Sequence, residues 1–168
     1  MELRTERLVL RPFAEGDLDL LLAIRNAPGV IGTTDTGEPL PRERMERQLQ
    51  HRLELWRGRG LGSWLIQLDG AAIGFVEVAP IGEGSGVDPG KIELGVVIHP
   101  DHWGRGIAGE AGLAVAADCF ERAGLERVYF GVDAANEKSL RVVEKVEGVR
   151  RVDSELYELT AAAFSRPE

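Results

Sequence analysis

The sequence predicts a single mixed α/β domain, and three observations carry that prediction. The chain has 168 residues and is 43% hydrophobic, which suits one sizeable core. SWLIQL (63–68) and AAIGFVEVA (71–79) flank Asp69-Gly70, a dipeptide suited to the type I′ turn of a tight antiparallel hairpin. KIELGVVIHP (91–100), a helical pattern opening at Ile107, and RVYFGVD (127–133) follow in order. Strand–helix–strand is a βαβ unit, whose strands run parallel. The expected sheet is therefore mixed: an antiparallel hairpin feeding a parallel pair, in one domain over 1–168.

Each element has its own signal. LRTERLVLR (3–11) alternates Leu8 and Leu10 with Arg7, Val9 and Arg11 and reads as one first strand, ended by Pro12. Asp17 to Asn26 reads as a helix with Leu18, Leu21, Leu22 and Ile24 on its apolar face. APGVIGTTDTGEP (27–39) is rich in Gly, Pro, Thr and Asp and reads as an irregular, functional loop. Pro41 opens a helix to about Arg57 whose alternating Arg and Glu form a solvated, salt-bridged face. GEGSGVDPG (82–90) is a surface connection.

The helix from Ile107 places Ala111, Ala114, Val115 and Cys119 on one stripe, with Asp118 at its wet edge. Glu137 to about Val146 is a further helix, and short strands near 149–152 and 155–160 close the chain.

Charge and cysteine usage narrow the function. With 20 Lys and Arg against 28 Asp and Glu, the net charge is −8. Duplex binders carry a basic stripe, so no nucleic-acid partner is expected. The lone Cys119 has no partner for a disulfide or a cysteine-based metal site and reads as a core thiol. MELRTERLVLRPF lacks the apolar core of a signal peptide, and no run approaches a membrane span. The expectation is a cytoplasmic protein without a membrane partner. His99 and His102 form H-x-x-H on a loop with no evident third ligand, so no metal is expected.

WGRGIAGEA (103–111) is the segment that carries chemistry. Gly104, Gly106 and Gly109 fit the dinucleotide fingerprint G-x-G-x-x-G. Three features oppose that reading. His99 to Trp103 intervene where the glycine should meet the strand end. A hairpin precedes the unit that should begin a doubly wound fold. Too little chain follows Gly109 for the remaining alternating units. The physics of the turn survives the objection. Successive backbone N–H groups at a strand–helix turn bind anions, helped by the helix dipole. Gly104 and Gly106 let the main chain approach a phosphate, and Arg105 adds charge. Gly109 and Gly112 inside the helix point to close approach by a neighbouring strand or a cofactor.

On these residues the chain resembles the GNAT family of acyl-CoA-dependent N-acyltransferases. It is most similar to the RimJ/RimL-like branch. TERLVLRPF resembles the first strand of that branch, and IELGVVIHPDHWGRGIAGEA its pyrophosphate-loop motif. NEKSLRVVEK resembles its last helix, and LYELT its final strand. The resemblance implies a central mixed, largely antiparallel β-sheet with a splayed parallel strand pair, flanked by about four helices. It implies acetyl-CoA as acyl donor, its pyrophosphate on the backbone of Gly104, Arg105, Gly106, Ile107, Ala108 and Gly109. Trp103 stands where many members carry Gln or Arg. Val96, Val97 and Ile98 would pair with pantetheine amides as though these were an added strand, with a distortion at Gly95. Asn136 would bond the pantetheine arm, and also suits a helix N-cap.

Acyl transfer needs a neutral amine, a polarised thioester and a protonated leaving thiolate. Glu93, on the strand leading to the cofactor, is the first candidate base. Glu77, alternating with Ile73 and Phe75, is the second. Many members place a tyrosine seven residues after the asparagine, where this chain has Val143. Ser139, one turn after Asn136, is the remaining candidate for contact with the sulfur. Tyr129 and Tyr157 read as core residues. Glu147 stands where the family pattern has glycine, and Gly148 follows it.

The resemblance also implies that residues 27–40 rim the acceptor site, with Asp35 and Glu38 attracting an amine. The acceptor (a protein N-terminus, a polyamine, an aminoglycoside or an amino acid), the acyl length and a homodimer stay open. A CoA-binding module without catalysis and, behind it, a dinucleotide oxidoreductase are the competing functions.

Overall fold

The computed structural model describes residues 1–31, 36–81 and 90–165. Its described strands form one sheet in the order β1-β2-β3-β4-β5-β6-β8-β7. One neighbouring pair, β5 with β6, is parallel, and the others are antiparallel. This is the mixed sheet that the hairpin and the βαβ pattern predict.

The expected first strand is two strands, β1 (Leu3–Arg4) and β2 (Leu8–Pro12), folded against each other. The Thr5 amide donates to the Leu8 carbonyl at 3.0 Å, and the Leu8 amide donates to Thr5 Oγ1 at 3.0 Å. The threonine hydroxyl thus offers the backbone a turn in place of continued strand. Helix α1 (Leu18–Arg25) follows a short 3₁₀ turn that holds buried Asp17.

The segment expected as irregular opens with a one-turn helix, α2 (Pro28–Ile31), which buries Val30. Asn26 closes this segment: Oδ1 accepts from the Leu40 amide at 2.7 Å and Nδ2 donates to the Leu40 carbonyl at 3.0 Å. Asp35 and most of the 82–90 connection lie outside the described residues.

Helix α3 (Arg42–Arg59) begins one residue after Pro41 and stops at Gly60, whose φ is 63°. Its ion pairs reach neighbouring elements: Arg42 meets Asp19 at 2.7 Å and Arg57 meets Glu15 at 3.3 Å. Strands β3 (Trp64–Leu68) and β4 (Ala71–Pro80) form the hairpin. Asp69 and Gly70 have φ of 49° and 82°, as a type I′ turn requires.

Strand β5 (Ile92–Ile98) leads to helix α4 (Ile107–Glu121), strand β6 (Arg127–Gly131), helix α5 (Glu137–Glu144), and strands β7 (Arg150–Arg151) and β8 (Leu156–Thr160). Gly148, at φ 84°, holds a position where a Cβ would press on the Ala163 carbonyl. A glycine is therefore required one residue beyond Glu147.

Sheet parity splits the core in two. Leu10, Trp64, Ile66, Val76, Val78, Leu94 and Ile98 pack with α4 residues Ile107, Ala111, Val115 and Cys119. Leu65 and Phe75 pack with Leu21 and Ile24 of α1 and Met45, Leu49 and Leu53 of α3. Burial, with Asp118 beside it, pushes the Cys119 thiol up to about 12, as befits an inert core thiol.

Asp118 corrects an expectation. It is buried rather than wet, because Arg122 caps it with two hydrogen bonds of 2.7 Å. Ala114 in turn is only half-buried, and Gly112 and Ala116 complete the stripe.

Candidate functional site

The parallel pair is where the sheet opens. β5 and β6 meet at a single register pair, Glu93 with Tyr129. Beyond it, β5 continues to Ile98 without further described pairing to β6. No distortion at Gly95 produces this fork. β4 and β5 stay in unbroken register from Pro80–Ile92 to Gly74–Ile98. The bulge lies elsewhere: the β3–β4 register shifts between Ile66 and Gln67, which leaves Ile73 as the extra residue. The β6–β8 ladder is equally regular, so the fork is a divergence between two undistorted ladders.

Hydrogen-bond parity decides which β5 groups face the fork. The His99 amide donates to the Ile73 carbonyl and the Ile81 amide to the Lys91 carbonyl, each at 2.8 Å. These bonds make Ile98–Gly74 and Ile92–Pro80 non-hydrogen-bonded pairs of the antiparallel ladder. By alternation Val96 and Ile98 direct their backbone groups away from β4 into the fork, whereas those of Val97 bond β4. The Ile98 carbonyl there accepts from the Trp103 indole Nε1 at 2.7 Å. Of the three valine and isoleucine positions read from the sequence, two face the opening.

The turn after β5 ends in the anion nest. Gly104 and Gly106 have φ of 73° and 74°, values that favour glycine. A Cβ at Gly104 would meet nothing within 4 Å, and one at Gly106 only Arg7 Nη2 at 3.7 Å. The space over both is open, so the main chain rather than packing requires glycine here. Gly106 is the N-cap of α4 and, being glycine, has no side chain with which to cap that helix. Helix N-terminal amides of this kind are available to an anion. Arg105 is exposed with Nη1 3.2 Å from His102 Nδ1. Ile107 is buried in the core, so only its backbone can serve the nest.

Gly109 is not the tightly packed position. A Cβ there would make ordinary contact with Val142 at 3.8 Å, whereas one at Gly112 would meet Val96 at 3.4 Å. Gly112 lets α4 sit down on β5, and Gly109 leaves room between α4 and α5.

Glu77 and Glu93 come together on the sheet face that packs against α1 and α3. Glu77 pairs with Gly95 and Glu93 with Ala79, which makes the two carboxylates diagonal neighbours. They line a cavity of about 390 Å³ with Gly95, Ala79, Pro80 and the α3 residues Gln48, His51 and Arg52. Burial, and the charge of Glu77 beside it, raise Glu93 above the usual carboxylate range against a favourable bond from the Gly131 backbone. A Cβ at Gly131 would collide with Glu93 Oε1, so a larger residue there would displace the Glu93 carboxylate.

Asn136 is the N-cap of α5, its Oδ1 accepting from the Ser139 amide at 3.2 Å. Ser139 is half-buried on α5 and does not line the Glu77–Glu93 cavity. Val143 is buried, and Tyr157 beside it approaches Glu144 with its hydroxyl at 3.4 Å. Tyr129 is buried and donates to Glu158 at 3.0 Å. Glu38 lies instead in a smaller cavity with Arg25, Asn26, Thr36, Leu40 and Arg44, next to Gln48.

Gln48, His51 and Gly131 escaped the sequence reading, and Arg52 entered it only as part of a solvated face. The three α3 residues share one face at spacings of three and four, a signal obscured by the charged residues around them. Gly131 gave none, since glycine in a strand marks close approach without naming the partner.

Among known proteins, the family model described as an acetyltransferase (GNAT) domain matches residues 7–149. A crystal structure of an acetyltransferase from Agrobacterium tumefaciens str. C58 is 29% identical. The match covers 94% of this chain and 93% of that one, with a TM-score of 0.74. A GNAT-family acetyltransferase from Bacillus anthracis is 20% identical over 95% of this chain and 98% of that one, with a TM-score of 0.71. RimL, a ribosomal L7/L12 alpha-N-protein acetyltransferase solved in complex with coenzyme A, is 18% identical. There the match covers 98% of this chain and all (100%) of that one, with a TM-score of 0.70.

Proposed function

Because the chain belongs to the GNAT acetyltransferase family, we propose that it moves an acetyl group from acetyl-CoA directly to a primary amine held in the Glu77–Glu93 cavity. The observation that carries this reading is the meeting of two features on β5. Its fork edge offers Val96 and Ile98, and its other face offers Glu93, within one short strand.

When bound, acetyl-CoA supplies the activated acetyl thioester. The amides of residues 104–109 hold its pyrophosphate, Val96 and Ile98 its extended arm, and Asn136 contributes its side-chain Nδ2 as a donor to that arm. Glu93 takes the proton that the ammonium group must lose, directly or through water, and its raised pKa makes it a stronger base than an ordinary carboxylate. Burial keeps the Glu93 pKa high, and Glu77 adds to that effect and attracts the cationic amine. Ser139 is the group of α5 that donates toward the leaving sulfur. The acceptor is a protein N-terminus or a small-molecule amine, and the fold shared with RimL supports the RimJ/RimL-like branch without choosing between them.

Acetyl-CoA is expected to raise the melting temperature and NADH to leave it unchanged; the reverse would return the glycine motif to a dinucleotide. Thiol release across a panel of amines and N-terminal peptides then identifies the acceptor. Persistent silence despite CoA binding would indicate a binding module. Gly106→Glu puts charge and bulk into the nest and is expected to abolish CoA binding; unchanged affinity would remove the nest from the mechanism.

A further inference from the structure

The turn between β1 and β2 reaches across the molecule to the pyrophosphate loop, and nothing in the acyl-transfer chemistry requires it to. Arg7 donates from Nε and Nη2 to Glu110 Oε2 at 2.8 and 2.6 Å, and from Nη1 to the Arg105 carbonyl at 2.9 Å. Glu110 Oε1 accepts from Thr5 Oγ1 at 2.5 Å and from the Arg7 amide at 3.2 Å. Glu110 lies in the first turn of α4, and its own amide donates to the Gly106 carbonyl at 3.2 Å. The two peptide groups flanking Gly106 are thus both held by their carbonyls.

A trans peptide points its N–H opposite to its C=O. Fixing the Arg105 carbonyl on Arg7 therefore fixes where the Gly106 N–H points, and that is one of the nest amides. The same contact resolves an electrostatic conflict. Glu110 suits the positive end of the α4 dipole but would repel a diphosphate bound there. Arg7 neutralises it with two guanidinium donors converging on Oε2, while its own amide and Thr5 occupy Oε1.

We propose that Arg7, seated by Thr5 and Glu110, is a positioning residue that pre-sets the Gly104–Gly106 nest for the pyrophosphate of the acyl donor. The proposal rests on the reading of that nest as a CoA site. It makes Arg7 specific to the diphosphate end of the donor and indifferent to the thioester end.

The test compares two donors. In wild type, acetyl-CoA and S-acetylpantetheine, which lacks the diphosphate, are both assayed by thiol release, and CoA binding is measured by calorimetry. Arg7→Ala is expected to raise the CoA Kd and the acetyl-CoA KM by about tenfold or more, with kcat and its pH profile unchanged. S-acetylpantetheine turnover is expected to stay within about twofold of wild type. Arg7→Lys keeps the charge but cannot hold Glu110 and the Arg105 carbonyl with separate guanidinium donors, and is expected to recover only part of the affinity.

Because Arg7→Ala also removes an anchor of the N-terminal turn, Thr5→Val serves as the milder variant: the same selective loss is expected on a smaller scale. Equal losses with both donors, or an unchanged CoA Kd in a folded Arg7→Ala protein, would overturn the proposal. Failure of wild type itself to bind CoA would overturn the underlying reading instead.

Discussion

Replacing Glu93 by Gln separates a catalytic role from a structural one, because the two make opposite predictions for stability. The amide keeps the volume of the carboxylate and can still accept from the Gly131 backbone, so the fold loses no contact. What disappears is the proton acceptor. General-base assistance is worth about 10²–10⁴ in rate, or roughly 3–5 kcal/mol of barrier, and kcat for a saturating amine is expected to fall within that range.

Stability moves the other way. Burial and Glu77 raise the Glu93 pKa in the folded protein. Folding therefore binds a proton that the unfolded chain, with its carboxylate near about 4.3, releases. Wild type loses stability as pH rises through the folded pKa, and Glu93→Gln does not. The variant is expected to melt higher than wild type at pH 7–8, by about 2–4 °C for each kcal/mol gained. The difference should vanish below about pH 4. Scanning calorimetry across pH, beside thiol release at saturating donor, gives both numbers. A Glu93→Gln enzyme within threefold of wild-type kcat would refute the assignment as base. A variant that melts lower at neutral pH would refute the account of the buried charge.

Glu77→Gln removes the like charge beside Glu93, so Glu93 ionises more readily. The acid limb of the pH–rate profile is expected to shift to lower pH, and an unmoved limb would mean that the two carboxylates do not communicate. Asp17 behaves in the opposite sense to Glu93. Burial opposes its charge, yet two hydrogen bonds from Arg11 and one from the Ala14 amide hold it below the usual carboxylate range. Its stabilisation is present above about pH 3.9 and is lost as pH falls through the folded value. Asp17→Asn is expected to cost about 2–3 kcal/mol at neutral pH, seen as a lower melting temperature that converges with wild type in acid.

The sequence made the fold legible wherever one local rule decided the backbone. Asp69-Gly70 fixed the hairpin because few dipeptides tolerate two positive φ values. The strand–helix–strand spacing around Gly104 and Gly106 fixed the parallel pair and the glycine turn between β5 and α4. The first strand misled because Thr5 competes for the backbone with its hydroxyl, a choice that alternation does not register. Asp118 misled because its partner, Arg122, lies one turn further along and carries the charge inward with it.

The candidate site was legible one residue at a time and not as an arrangement. Glu77 and Glu93 were named separately, but their diagonal relation depends on the β4–β5 register. Val96, Val97 and Ile98 looked equivalent until the ladder bonds distinguished Val97 from its neighbours. The α3 wall of the cavity was hidden in a helix whose composition suggests only solvation.

The fork gives this sheet an edge in its interior. Free strand edges invite pairing with other chains, and proteins commonly shorten, charge or cover them at the border of a sheet. Here the free stretch of β5 is closed at one end by its pairing with β6 at Glu93 and roofed by α4 through Gly112. At the other end Trp103 turns its indole over the last carbonyl. Those three covers leave a narrow slot, and the proposed donor arm, a thin unbranched chain of amides, is the kind of group that such a slot admits more readily than a second strand with side chains above and below.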